Sequence, residues 1–254
     1  MGTNFRTVAQ RLTERAPAWG FVLVDLRAHG ASQGFPPPHD LASAAGDLAE
    51  LSSSLPLPVR AIVGHSFGGK VALESLAQRP SWARAAFVLD SDPSAAPALR
   101  DATSVVVRVL EALEQVDGPI AKREDFQDHL RSWGFTDAIV QWLSMNVRRD
   151  GDGYRLRLDL PAIRAMLMDY RARDLWSVFA ESKNTAFHMV LAGEGSALGE
   201  AARTELARVA ATSSHVQVHA LPHAGHWVHV DAPDEIVRIV SERLNLLSNG
   251  ARRF

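Results

Sequence analysis

Short apolar runs rich in β-branched residues alternate along the chain with segments whose apolar positions recur every three to four residues. The runs at 21–26, 59–63, Ala85–Leu89, 187–192 and Val216–Leu221 read as strands, and most are apolar throughout, as expected where helices cover both faces of a parallel sheet. Helical periodicity fills 4–16, 40–55, 69–78, 201–211 and 233–247. This β-α-β rhythm predicts an α/β fold with a mostly parallel sheet. Between 98 and 180 the rhythm breaks: the segment is amphipathic, rich in Arg and Trp, and holds no run that reads as a buried parallel strand. It reads as a helical cap inserted into a core made of 1–97 and 181–254. Within it, Asp150-Gly151-Asp152-Gly153 is a turn signal, followed by the alternation of a short strand or an extended lead into the next helix. The tail 249–254 is expected to fray.

The second strand leads into Gly64-His65-Ser66-Phe67-Gly68-Gly69, and a helical pattern follows at once. Strand, tight turn and helix are the context that a G-x-S-x-G nucleophile elbow requires. Ser66 is the expected nucleophile, Gly64 and Gly68 leave room for the turn, and the Phe67 amide at the helix N-terminus is placed to donate to an oxyanion. A serine hydroxyl needs a base within reach, and in this chain order the base comes last. Pro222-His223-Ala224-Gly225-His226-Trp227-Val228-His229 offers three histidines. His226, after a glycine and before the terminal helix, is the expected base, while His223 and His229 are expected to orient the loop or meet solvent. A metal site on the three is disfavoured, because no H-E-x-x-H helix accompanies them. For the acid, the turn after 187–192 reads Gly193-Glu194-Gly195-Ser196, with Ser196 where an Asp would stand. Asp90, at the end of the preceding strand, is the expected orienting carboxylate, with Glu194 and Asp92 as rivals.

Four stretches together resemble a known group: Val24 to Ser32, the elbow through Lys70, Asp90-x-x-Pro93, and Gly225 to His229. They are similar to the small α/β-hydrolase esterases typified by abhydrolase domain-containing protein eleven. The resemblance spans nearly the whole chain, and it implies hydrolysis of carboxylic esters, thioesters or lipids and an acid at the position of Asp90. It also implies further strands ahead of the first helix, ending in a His-Gly turn that supplies a second oxyanion amide. The chain is therefore expected to be truncated at its start and to lack that donor, with Gly2 and Thr3 as partial substitutes.

Composition narrows the alternatives. Among 254 residues, 27 Lys and Arg stand against 29 Asp and Glu for a net charge of -2, so no basic field draws the protein to nucleic acid, and a small-molecule acyl ester is the expected partner. Without a single Cys there is no thiol nucleophile or thiolate metal site, and the absence of disulfides fits a reducing, cytoplasmic setting. No secretory leader or run of membrane-spanning length is seen. The expected chemistry needs no cofactor and no metal. Asp25, Arg27 and His29 read as a structural turn before Gly30, and Lys70 lacks the spacing of a phosphate-binding loop. Trp133, Trp142, Trp176, Phe126, Phe135 and Met145 read either as an acyl pocket under the cap or as the cap's own core. Competing readings are a non-catalytic binding protein on this scaffold, and another reaction of the same three residues such as C-C bond hydrolysis or perhydrolysis.

Overall fold

The computed structural model describes residues 2–96, 105–116 and 118–251. In chain order the elements are α1 (Arg6–Arg15), α2 (Leu41–Ser54), β1 (Ala61–His65), α3 (Phe67–Gln78), β2 (Ala85–Leu89), α4 (Val105–Glu114), α5 (Arg123–Ser132), α6 (Asp137–Ser144), β3 (Val147–Asp150), β4 (Gly153–Leu156), α7 (Leu160–Ala172), α8 (Val178–Glu181), β5 (Ala186–Ala192), α9 (Glu200–Thr212), β6 (Val216–Leu221), α10 (Val228–Asp231) and α11 (Pro233–Ala251). A short 3-10 turn over Gly2–Phe5 leads into α1.

β1, β2, β5 and β6 form one parallel sheet in that order. Alternation along the central strands divides the core into two layers. Ala85, Phe87 and Leu89 of β2 with Val190 and Ala192 of β5 face Val8 and Leu12 of α1 and Ile236, Val240 and Leu244 of α11. Ala86 and Val88 with Phe187, Met189 and Leu191 face Leu73 and Leu76 of α3 and Leu206 of α9. Both faces of the middle strands are thus buried, which is why their sequences are apolar without alternation.

One predicted strand is corrected. Residues 21–26 form no strand among the described residues, and the outer edge of β1 pairs with nothing there. An apolar run marks burial, but a strand also needs a hydrogen-bonded neighbour. Val22 and Leu23 are 56 % and 42 % exposed. Elsewhere the expected elements hold to within a few residues, and α2 starts where its N-cap predicts, Asp40 accepting from the Ser43 amide at 2.6 Å.

Between β2 and β5, helices α4, α5 and α6 gather around Leu113, Phe126, Leu130, Val140 and Leu143, a core of their own. The predicted turn closes a two-stranded antiparallel hairpin of β3 and β4, with Gly151 supplying a φ of 60° at its tip. The expected start of the inserted segment, Ala98, lies outside the described residues. Of the tail expected to fray, α11 continues through Ala251 and 252–254 lie outside them.

Candidate active site

β1 ends at His65 and α3 starts at Phe67, so Ser66 alone makes the turn between them. Its φ of 51° and ψ of -117° are a costly conformation for a residue with a side chain, the kind of strain that is kept where function requires it. The turn is pinned by the Ser66 amide donating to the Leu89 carbonyl at 2.9 Å. A Cβ on Gly64 would lie 2.1 Å from the Gly68 carbonyl oxygen, and one on Gly69 would lie 2.6 Å from the Ser91 Cβ, whereas one on Gly68 would meet nothing within 4 Å. The tight positions are therefore Gly64 and Gly69, not Gly64 and Gly68 as the motif suggested. Gly64→Ala is expected to cost about 1–3 kcal/mol in urea denaturation, because the obstacle is backbone that cannot rotate away. Gly68→Ala is expected to leave stability the same or slightly raised.

The Phe67 amide opens α3, in the first turn where amides have no intrahelical carbonyl to reach. Gly2, one expected substitute for a second donor, spends its amide on Asp25 Oδ1 at 2.7 Å.

Asp90 follows β2 with a φ of 43° and is fully buried. Its Oδ2 accepts from His226 Nδ1 at 2.7 Å and from the Ala197 amide at 2.8 Å, while Oδ1 accepts from the Ala192 amide at 3.0 Å and the Ser196 hydroxyl at 2.5 Å. Burial alone would raise the pKa of this carboxyl. The His226 imidazole, the Ser196 hydroxyl and the two amides outweigh it and hold the group below the usual carboxylate range. Ser196, conspicuous in the sequence for not being acidic, thus serves the carboxylate that stands on the neighbouring strand. The rivals lie elsewhere: Asp92 accepts from the Ser94 amide at 2.7 Å, and Glu194 is exposed.

His226 has its other ring nitrogen directed away from Asp90, and both His226 and Ser66 border a cavity of about 1990 Å³. Among the described residues no hydrogen bond joins the two, a common state for such a pair before substrate binds. Burial, and after it the neighbouring imidazoles, pushes His65 down to about 3 and His229 down to about 4. His229 is not at the solvent as one expectation had it: it is 8 % exposed and stacked on Phe5 at 4.6 Å. His223 is exposed and bonds Glu235 at 3.2 Å.

The aromatic residues of the middle segment divide between the two readings given for them. Phe126 and Phe135 are buried in its own core with Trp133 packed against it, while Trp142 and Met145 border the cavity. The Trp142 ring meets that of Trp227, next to His226, at 5.7 Å. Trp176 packs on Phe179 and donates to Ser94 Oγ at 3.1 Å. Lys70 is buried, and its Nζ donates to the Ser94 and Tyr170 carbonyls at 2.7 Å each, tying α3 to α7 and to the segment after Asp90. Within the Val24 to Ser32 stretch Asp25 accepts from the Ala31 amide at 2.9 Å, and Arg27 grips Asp47 through two 2.7 Å bonds, while His29 borders the cavity. His29 Nδ1 lies 2.9 Å from the Arg27 carbonyl.

The sequence profile described as alpha/beta hydrolase family matches residues 2–239. The chain belongs to the α/β-hydrolase family. It is similar to a mouse protein named sn-1-specific diacylglycerol lipase ABHD11, 28% identical over 250 residues that cover 95% of this chain and 76% of that one. The zebrafish protein of the same name is 25% identical over 240 residues, 92% of this chain and 72% of the relative. Among solved structures, an esterase from a marine microorganism superposes with a TM-score of 0.75 at 22% identity, covering 95% of this chain and 90% of the other. An M. tuberculosis esterase gives a TM-score of 0.68 at 20% identity over 96% of this chain and 81% of the other. The hydrolase is thus of the fold that its sequence predicts, with a parallel sheet flanked by helices. Among the described residues no helix is long and apolar enough to cross a membrane.

Proposed function

We propose that the protein hydrolyses carboxylic esters through Ser66, His226 and Asp90. The observation that carries this reading is the 2.7 Å bond from His226 Nδ1 to a buried carboxylate, in a site that shares its cavity with a serine held at a positive φ. Ser66 Oγ adds to the acyl carbonyl as His226 Nε2 takes its proton, and the Phe67 amide donates to the oxyanion. Collapse expels the alcohol, which takes the proton from His226, and leaves an acyl group on Ser66. Water then adds with His226 again as base, and the free acid leaves as the proton returns to Ser66. Asp90 holds the imidazole in the tautomer that keeps Nε2 free to accept.

We assign residues 98–180 as a cap over the core of 1–97 and 181–254. Its separate apolar core and the meeting of Trp142 with Trp227 support that division. Trp142, Met145, Ile163 and Met166 give the cavity an apolar wall suited to an acyl chain, consistent with the lipase name of the mouse and zebrafish relatives. A fluorophosphonate probe is expected to label the protein on the Ser66 peptide, mapped by mass spectrometry, and p-nitrophenyl esters are expected to turn over faster as the acyl chain lengthens from acetyl to octanoyl. Folded protein that neither reacts with the probe nor hydrolyses any of these esters would refute the proposal.

A further inference from the structure

The base sits on an irregular loop, and the question is what holds it in place relative to a serine 160 residues earlier in the chain. A main-chain bond and a side-chain carboxylate fix the neighbours of His226: the Gly193 amide donates to the Ala224 carbonyl at 2.8 Å, and the Gly225 amide donates to Asp231 Oδ2 at 2.9 Å. For the His226 carbonyl itself no main-chain amide donates among the described residues. Its donor is His65 Nε2, at 2.7 Å. His65 is the last residue of β1 and the covalent neighbour of Ser66. Its ring lies 4.7 Å from that of His226 and 4.7 Å from that of His229, which in turn stacks on Phe5 at 4.6 Å.

We propose that His65 is a positioning residue for the base: by donating its Nε2 proton to the His226 carbonyl and packing between His226 and His229, it locks the 222–229 loop in register with the Ser66 turn. A carbonyl accepts only from a protonated nitrogen, so the bond requires the neutral Nε2–H tautomer or the cation. Burial against two further imidazoles selects the neutral form. The bond therefore persists through turnover while the His226 side chain gains and loses its proton. A strand-end residue, rather than the loop, then sets where the imidazole stands over Ser66.

This inference rests on His226 being the base, and the experiment separates the two. His65→Phe keeps an aromatic ring and removes the donor. It is expected to lower kcat about 10- to 100-fold with KM changed less than about twofold, since displacement of a reacting group by an ångström costs that much. His65→Gln, whose amide reaches as far as the imidazole Nε2, is expected to restore kcat to within roughly fivefold of wild type, because it returns the lost bond worth about 1 kcal/mol. Equal losses in both variants, or full kcat in His65→Phe, would overturn the positioning role. His226→Ala is measured alongside: an active His226→Ala removes the base assignment itself, whereas an inactive one beside a fully active His65→Phe removes only the role of His65. Should His65→Phe fail to fold, imidazole ¹⁵N shifts of the unaltered enzyme decide. An Nε2–H tautomer at His65 that stays neutral at pH 6 supports the bond, and an Nδ1–H tautomer rules it out.

Discussion

Replacing Asp90 by Asn is expected to lower kcat by about 10⁴-fold while the protein stays folded, with KM little changed. The physical reason lies in the four donors around the carboxylate. An Asn oxygen can still accept from the Ala192 amide and the Ser196 hydroxyl, but its NH₂ then faces the Ala197 amide and His226 Nδ1, both donors in the native site. The imidazole can relieve that opposition only by moving its proton from Nδ1 to Nε2. A protonated Nε2 cannot take the proton of Ser66, so attack on the substrate stops although no atom of Ser66 or His226 has been removed. Steady-state hydrolysis of a p-nitrophenyl ester, together with the rate of fluorophosphonate labelling, measures the loss. Glu194→Gln, altering an exposed rival, is expected to leave both within about twofold, in keeping with the small effects of surface substitutions. A larger loss in Glu194→Gln than in Asp90→Asn would transfer the acid to the loop after β5.

Stability is expected to fall steeply as the pH drops below about 6.5, driven mainly by the three imidazoles whose pKa values the fold lowers most. Burial pushes His65 down to about 3, and His188 and His229 each down to about 4. In the unfolded chain each regains a pKa near 6.5, so between the two values the unfolded state binds the extra proton and the native state does not. Stability is therefore complete above pH 6.5 and is lost as pH falls toward 4, at up to about 1.4 kcal/mol per pH unit for each of the three. His188 and His229 stop contributing to the decline near their native values, and His65 continues to about 3. Asp90, whose pKa is depressed, adds its own loss only as pH falls below the ordinary carboxylate range. Urea unfolding free energies between pH 7 and 5 measure the slope, and calorimetry in buffers of different ionisation heat counts the protons taken up, expected to reach at least about three at pH 5, since burial also lowers His29 and His219. A stability that stays flat over this range would show that the three imidazoles are as accessible to protons in the native protein as in the unfolded chain.

The parts of this architecture that sequence made legible are those whose cause is local. The Ser66 elbow could be read because strand, glycine and helix must follow one another directly, and Asp90 because a carboxylate closing an apolar strand has few structural reasons to be there. The parts that were not legible depend on what comes near from far along the chain. Residues 21–26 have the apolar content of a strand, but nothing in their own sequence says whether an edge lies within hydrogen-bonding distance. Gly68 looked necessary from its place in the motif, and only the turn itself shows that Gly64 and Gly69 carry the steric demand. Lys70 could be read in sequence only as lacking the spacing of a phosphate-binding loop, whereas two carbonyls, 24 and 100 residues away, receive its ammonium group. The role of His65 has the same origin: its partner is a main-chain oxygen, which has no residue type to recognise.

The Ser66 amide donates to the Leu89 carbonyl, and the Asp90 amide donates to the Val190 carbonyl, one step beyond the register pairs His65 with Leu89 and Leu89 with Val190. Ser66 and Asp90 are thus successive rungs on adjoining rails, spaced by the strand separation of the sheet rather than by any loop. The chain that follows Asp90 leaves the sheet beside this pair and returns at its opposite edge, where Ala186 pairs with Ala85. A change in the length or sequence of that intervening chain is therefore expected to leave the spacing of Ser66 and Asp90 as it is. If 98–180 is the cap proposed above, recombining it with that of another α/β-hydrolase is expected to shift the acyl preference while the Ser66 and Asp90 turns stay in place.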